Sequence, residues 1–420
     1  MKGRIGGTGG TRVLSILLLA YIFNFIDRQI VGVLAIPIKA DLSLTDRQLG
    51  LMGGLAFALF YTGLGIPIAW LADRRSRVGI ISVSLALWSA FTAACGLAQN
   101  FWQLFLARMG VGIGEAGGVA PSYALVSDYF PPERRARALA IFSFGIPIGS
   151  ALGIFFGGWL ASHIDWRSAF AIVGLSGLVV VPLVRFGIRE PVRGGHDHGA
   201  GAGDPAPPFA EVARTLAAKP SFWLLSFGAA SGSILGYGLI FWLPSFFARS
   251  FHLELAQVGW FYGSIVLVGG VAGTWLGGWF GDRAGPGDPG SYARIPALCF
   301  LAAAPTFALG LFAPSLWLGW LLFATGQMLA LAWLGPVIAA VQHIVPPNMR
   351  ATASASFLFI NNLIGIGFGI WFLGFMSDTM GPTYGDQALK YSILYGLAFY
   401  LLSALFYLFA AKRLKRDWVG

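Results

Sequence analysis

Charge is scarce in this chain. Asp, Glu, Lys and Arg make up only 11% of its 420 residues, against roughly 25% in soluble globular domains, and that excludes an ordinary water-soluble fold. Cysteine is nearly missing. Cys95 and Cys299 each sit alone inside an apolar run, so the sequence offers no disulfide framework. Walker loops, HExxH and GxSxG patterns are absent, which removes the chemistry that an ATP-driven pump or a membrane hydrolase needs, so no enzyme and no cofactor is expected. The formal charge of +10 raises nucleic acid as a partner. No basic stripe on a soluble segment accompanies it, and none is expected to bind.

What is abundant is apolar: 56% hydrophobic residues, with 58 Gly, 35 Phe and 15 Trp. Apolar runs long enough to cross a bilayer as helices, about 20 residues each, recur at 13–38, 48–72, 79–98, 101–127, 136–161, 166–187, 221–247, 255–280, 293–313, 315–342, 351–375 and 390–411. The pattern predicts an all-α membrane protein of twelve transmembrane helices in two six-helix bundles. Lys2, Arg4 and Arg12 before the first run look like the start of a signal peptide. The run is too long for one and contains Asn24, Asp27 and Arg28, so it reads as a retained first span.

An even number of spans puts both termini on one side. That side collects Arg74, Arg75, Arg77, Arg134, Arg135, Arg137, Arg185, Arg189, Arg283, Arg294 and the Lys412–Arg416 cluster, while the other has Lys39, Arg47, Arg167, Arg249 and Lys390. Basic loops stay inside, so both termini are expected in the cytoplasm, with the protein in the plasma (inner) membrane and most simply a monomer. The break at 188–220 separates a first bundle, 1–187, from a second, 221–420. Within it, His196-Asp197-His198 reads as solvated linker rather than a metal site. Phe209, Val212, Ala213, Leu216 and Ala217 then predict a short amphipathic helix on the inner surface.

The halves repeat each other. Pro121, Pro132, Arg135 and Ala136 match Pro336, Pro347, Arg350 and Ala351 at one constant offset, and Asp73-Arg74 answers Asp282-Arg283. Duplication of this kind characterises secondary transporters. Ala69-Trp70-Leu71-Ala72-Asp73-Arg74-Arg75-Ser76-Arg77 resembles the signature loop of the major facilitator superfamily, with Ala69 where Gly is usual; Gly278-Trp279-Phe280-Gly281-Asp282-Arg283 is similar to its second-half copy. Asn24-Phe25-Ile26-Asp27-Arg28 and Arg108-Met109-Gly110-Val111-Gly112-Ile113-Gly114-Glu115-Ala116 resemble the spinster-like transporters within it. The resemblance implies two bundles rocking about a central cavity. It also implies export of lysolipids or sphingoid lipids, often coupled to protons.

Residues and depth add to that reading. All intramembrane ions lie in the first half: Asp27 and Arg28 on the first span, Arg108 and Glu115 on the fourth. Each charge costs about 2.5 to 3.5 kcal/mol at a span centre on insertion scales, so intramembrane ions mark function by default. At about 1.5 Å per residue the first-span pair lies between the fourth-span charges in depth, which pairs Arg28 with Glu115 and Asp27 with Arg108. Glu115 is expected to be the main proton carrier and Asp27 the second. Arg28 would alternate between carboxylate and an anionic headgroup, and Arg108 would anchor Asp27. Asp73, Arg74, Arg77, Asp282 and Arg283 are expected to gate the cytoplasmic side. Tyr21, Asn24, Ser231, Tyr237, Trp242, Gln327, Trp333, Asn361 and Asn362 are candidate cavity residues; aromatics at helical spacing also serve as plain packing.

Two motifs carry less. Gly112-Ile113-Gly114-Glu115-Ala116-Gly117 matches the dinucleotide fingerprint literally, but no strand precedes it and it lies inside a span. Gly145, Pro147, Gly149, Gly153, Gly157 and Gly158 on the fifth span fit close packing and bending. The expected partners are a lipid or organic-anion substrate, protons and membrane lipids. A proton-coupled transporter of small organic anions, and a lipid sensor or scramblase without coupling, are the alternative readings.

Overall fold

In a bilayer every backbone N–H and C=O must be satisfied within its own segment unless strands close into a barrel, and this chain uses helices. The computed structural model describes residues 8–72, 74–130, 138–139, 141–191, 208–284, 287–346 and 349–419, and among them there is no strand. The helices are α1 (Thr8–Val33), α2 (Ala35–Leu42), α3 (Asp46–Gly50), α4 (Ala56–Ala72), α5 (Arg77–Cys95), α6 (Phe101–Glu115), α7 (Val119–Tyr129), α8 (Gly145–His163) and α9 (Trp166–Gly187). After these come α10 (Phe209–Ala217), α11 (Pro220–Ser250), α12 (Leu255–Ala284), α13 (Ser291–Leu311), α14 (Leu316–Leu331), α15 (Leu334–His343), α16 (Arg350–Tyr384), α17 (Ala388–Gly396) and α18 (Ala398–Asp417). A π-helical turn at Leu51–Leu55 joins α3 to α4.

Among the described residues, ten helical stretches are long and apolar enough to cross a membrane. One of them, Thr352–Asp417, is 66 residues long and holds two crossings. The fourth crossing is the broken pair α6 and α7, which completes twelve. The fourth span of each half was expected to be one continuous helix, and both are interrupted. Pro121, the third residue of α7, cannot donate to the carbonyl of Gly117, and its ring would clash there; the helix breaks at Ala116–Gly118. Pro336 stands likewise in α15, and the break falls at Ala332–Trp333. The sequence repeat is thus a structural repeat as well. The predicted surface helix is α10, which buries Val212 and Leu216 and leaves Phe209 exposed.

Helix starts on the side read as external are capped by short polar side chains. Thr45 forms a reciprocal capping box with Gln48, and Asn100, Asp165 and Ser315 accept from the backbone N–H three residues on. Each such cap is worth about 1 kcal/mol.

Contacts divide the chain into two units, residues 1–201 with 253–263, and residues 202–252 with 264–420. Leu253–Gly263 thus groups with the first unit rather than with the second-half spans. In the first unit, α1 and α8 meet along a glycine row. A Cβ on Gly145 would fall 2.8 Å from the Tyr21 ring, one on Gly149 2.5 Å from Ile22 O, and one on Gly153 2.8 Å from Ile26 Cα. In the second unit, Gly269, Gly273 and Gly277 of α12 lie against the carbonyls of Ala324, Met328 and Ala332 in the same way. Without a hydrophobic drive between helices in lipid, close backbone approach supplies the packing.

A buried charge cluster as candidate functional site

Adjacent residues on a helix diverge by about 100°, so Asp27 and Arg28 address different neighbours. α6 packs against both α4 and α5 and serves both residues. Arg28 Nε donates to Glu115 Oε2 at 2.6 Å, with the Glu115 side chain fully buried. Arg108 Nη1 lies 3.4 Å from Asp27 Oδ1, with both side chains 3% exposed. The four charges therefore form two ion pairs within the first unit and sum to zero, which limits the cost of burying them.

Three rings surround the Arg28 guanidinium. Phe25, Phe57 and Tyr61 place their centroids 5.0, 5.0 and 4.5 Å from its Cζ, and Phe57 is also 5.7 Å from that of Arg108. Such cation–π contacts contribute about 0.5 to 2 kcal/mol each. On the other side, the Thr92 hydroxyl of α5 bonds Asp27 Oδ2. Phe57, Tyr61 and Thr92 were not among the predicted residues: in an apolar span, aromatics and a lone Thr look like packing.

The satisfied atoms leave a specific remainder. Glu115 Oε1, Arg28 Nη2, Arg108 Nε, Thr62 Oγ1 and both side-chain polar atoms of Asn24 are buried with no hydrogen-bond partner among the described residues. Buried polar groups without partners are costly, and here three of them, Glu115 Oε1, Arg28 Nη2 and Arg108 Nε, belong to the ion pairs themselves. The site can accept a proton at Glu115 Oε1 without first breaking the Arg28 contact, and Arg28 keeps one N–H face for a second anion.

Glycines let α6 approach so closely. A Cβ at Gly112 would meet Phe57 O at 2.6 Å, and one at Gly114 would meet Trp88 N at 2.5 Å. The Gly-x-Gly pattern that mimics a dinucleotide loop is a packing device beside Glu115.

Other predicted residues fall as follows. Tyr21 is buried and stacks on Phe142 at 4.4 Å. In the second unit, Ser233 donates to Asn361 Oδ1 at 2.8 Å, Asn361 Nδ2 to Asn362 Oδ1 at 3.3 Å, and Tyr237 to the same Asn362 oxygen at 3.2 Å. Ser231, Gln327 and Trp333 are buried; Gln327 lies against Gly269, and Trp333 is edge-on to Phe357. Trp242 is fully buried and donates to Ile370 O at 2.8 Å, tying α11 to α16. Phe323, at the repeat position of Arg108, is fully buried with its ring 5.0 Å from Phe247. An aromatic core thus stands where the first unit has its ions.

Among the predicted gating residues, Arg77 is buried and joins Asp128 Oδ2 at 2.6 Å and Glu190 Oε1 at 3.1 Å, both in its own unit. Arg74 is exposed, and Arg283 lies over the Trp279 ring at 4.0 Å. Asp73 lies outside the described residues; at Asp282 the helix is described but the side chain is not. Glu190 also accepts from Val78 N–H and Ser76 Oγ. Burial works to raise the Glu190 carboxyl, but the bonds from Val78, Ser76 and Arg77 outweigh it and hold the group below its ordinary value. A depressed carboxyl stabilises above the unfolded value, about 4.3, and that stabilisation is lost as pH falls through the folded one. Glu190→Gln is expected to flatten the acid-side loss of thermal stability slightly, by less than about 1 kcal/mol because the group is part-solvated. An unchanged acid limb in a melting series carried from pH 7 down to pH 2.5 would contradict this.

The Major Facilitator Superfamily model matches residues 17–370. The chain belongs to the major facilitator superfamily. Within this superfamily it is 35% identical over 413 residues to an MFS-type efflux pump of Mycolicibacterium smegmatis, covering 96% of this chain and 93% of that protein. It is 27% identical over 430 residues to protein spinster homolog 3 of Danio rerio, covering 96% and 86%. A bacterial homolog of the human lysosomal transporter spinster, solved in an inward-facing and unoccupied conformation, superposes with a TM-score of 0.88 at 33% identity and 98% coverage of both chains. This major facilitator protein is therefore a spinster-like integral membrane transporter.

Proposed function

We propose that the protein is a proton-coupled secondary transporter that moves an amphiphilic, anionic lipid of the lysophospholipid or sphingoid type across the inner membrane by alternating access, with both termini cytoplasmic. The observation that carries this reading is the pair of buried Arg–carboxylate bridges between α1 and α6, one of which leaves Glu115 Oε1 without a hydrogen-bond partner among the described residues. A carboxylate held by one Arg and otherwise desolvated changes proton affinity when either influence changes, as it does when a cavity opens to a new side. Glu115 is the main carrier and Asp27 the second. Arg28, freed when Glu115 is neutral, takes the anionic headgroup within its ring wall, while Arg108 holds Asp27. Arg74, Arg77 and Arg283, with Asp73 and Asp282, gate the cytoplasmic side. Tyr21 and Asn24 flank the headgroup; within the second unit, whose spans carry no ion where the first-half ions repeat, the Ser233–Asn361–Asn362–Tyr237 ladder is the polar element. The efflux pump and spinster relatives support the class.

The Arg28 Nη2 face would serve a small organic anion equally well, and this is the rival reading. Proteoliposomes decide between them: with an imposed pH gradient, fluorescent lysophosphatidylglycerol is expected to move and a radiolabelled aromatic carboxylate is not. Glu115→Gln is expected to bring the gradient-driven component to background. Undiminished driving by the gradient in that variant would reject Glu115 as carrier.

A further inference from the structure

Thr92 Oγ1 has two acceptors and one hydrogen. It bonds Asp27 Oδ2 across the helix interface and lies 2.8 Å from Trp88 O one turn back on α5. The residue is fully buried. A hydroxyl donates once but accepts freely, so only one of these contacts can use the Thr92 hydrogen at a time. The carboxylate's other oxygen, Oδ1, faces Arg108 Nη1, and an arginine only donates. A proton arriving on Asp27 therefore belongs on Oδ2, the oxygen that faces Thr92.

Two arrangements follow, each with its bonds satisfied. With Asp27 ionised, the Thr92 hydrogen points to Oδ2, and Trp88 O keeps the backbone bond of its helix. With Asp27 protonated, Oδ2–H donates to Thr92 Oγ1, and the Thr92 hydrogen turns to Trp88 O. We propose that Thr92 is a positioning residue that reads the protonation state of Asp27, reversing the direction of their hydrogen bond and passing the change to the backbone of α5. The inference rests on the proton-coupled reading above.

The other hydrogen-bond partner of Asp27, Arg108, does not share this property. Arg108 and Glu115 face it from α6, Arg28 lies beside it on α1, and the Cys95 thiol lies on α5. Of the other helices against α1, α7 carries Tyr123, Asp128 and Tyr129, α8 carries His163 at its end, and α9 carries Arg167 and Arg185 near its ends. Of the two side chains hydrogen-bonded to Asp27, Arg108 and Thr92, only Thr92 can exchange donor for acceptor. The charged form of Asp27 gains more from a hydroxyl donor than the neutral form gains from an acceptor.

The test compares Thr92→Val, which keeps the shape and removes the hydroxyl, with Thr92→Ser, which keeps the hydroxyl. In proteoliposomes with fluorescent lysophosphatidylglycerol, the pH midpoint of transport is expected to rise by about one unit in Thr92→Val and to return to the wild-type position in Thr92→Ser. A midpoint that stays put in Thr92→Val overturns the proposal, because a packing role would alter yield or apparent affinity instead. Infrared titration of the purified full chain needs no substrate and is read beside it. The protonated-carboxyl stretch that disappears in Asp27→Asn should shift in Thr92→Val and stay in Thr92→Ser; an unshifted band also overturns the proposal. Should wild-type transport lack any pH dependence, the coupling reading fails, and the infrared band still decides the role of Thr92.

Discussion

Arg28→Met is expected to destabilise the protein more than Arg28→Met and Glu115→Gln together. Glu115 is fully buried and its contact with Arg28 is 2.6 Å, so removal of the cation leaves a carboxylate in a low-dielectric interior. Breaking a buried pair from one side costs about 3 to 5 kcal/mol, whereas replacing both partners by neutral groups of similar volume is often near neutral. Met is chosen because its stem still fills the space between Phe25, Phe57 and Tyr61, and the loss of cation–π attraction is smaller than the loss of the pair. Lower pH should rescue the single variant, since an unpaired buried carboxylate neutralises itself by taking a proton. Thermal melts in detergent at pH 8 and pH 5 measure both effects. If the two substitutions simply add, the pair is not the stabilising unit that the distance implies.

Gly149→Val is expected to be nearly as damaging without touching a charge. A Cβ there would lie 2.5 Å from Ile22 O and 2.7 Å from the Phe25 Cβ, and the Ile22 oxygen is backbone that no rotamer change can move. Overpacking costs about 1 to 3 kcal/mol and occasionally more, and a backbone obstacle puts this site at the upper end. Because α1 carries Asp27 and Arg28 just beyond Ile22, displacing it should also weaken the ion pairs. Gly63→Ala is the contrast: no atom lies within 4 Å of the Cβ it adds to α4, and Ala gains up to about 1 kcal/mol over Gly in a helix. Monodispersity and melting temperature compare the two, and equal behaviour would mean that the α1–α8 groove is looser than these distances.

Much of this architecture could be read in the residues. Run lengths counted the crossings, the recurring Pro and Arg-Ala positions showed the duplication, and 1.5 Å per residue set the depths that pair Arg28 with Glu115 and Asp27 with Arg108. The interruption of both fourth spans was readable too, from Pro121 and Pro336, but hydropathy averages over a break of two or three apolar residues. Phe57, Tyr61 and Thr92 were not readable. Helical periodicity says which residues share a face and not which other helix that face meets.

The sequence by itself determined the class, the crossings, the repeat and the confinement of buried charge to one half, because lipid tolerates few charges and demands long apolar helices. The tertiary structure decided the rest: that Arg28 stands inside three rings, that one oxygen of Glu115 has no partner among the described residues while both oxygens of Asp27 are engaged, and that a threonine 65 positions away holds the second of these. Those facts depend on the azimuth at which α4, α5 and α6 turn their side chains towards α1. That azimuth is set by glycine contacts between helices distant in the chain, and one helix read alone carries no record of it.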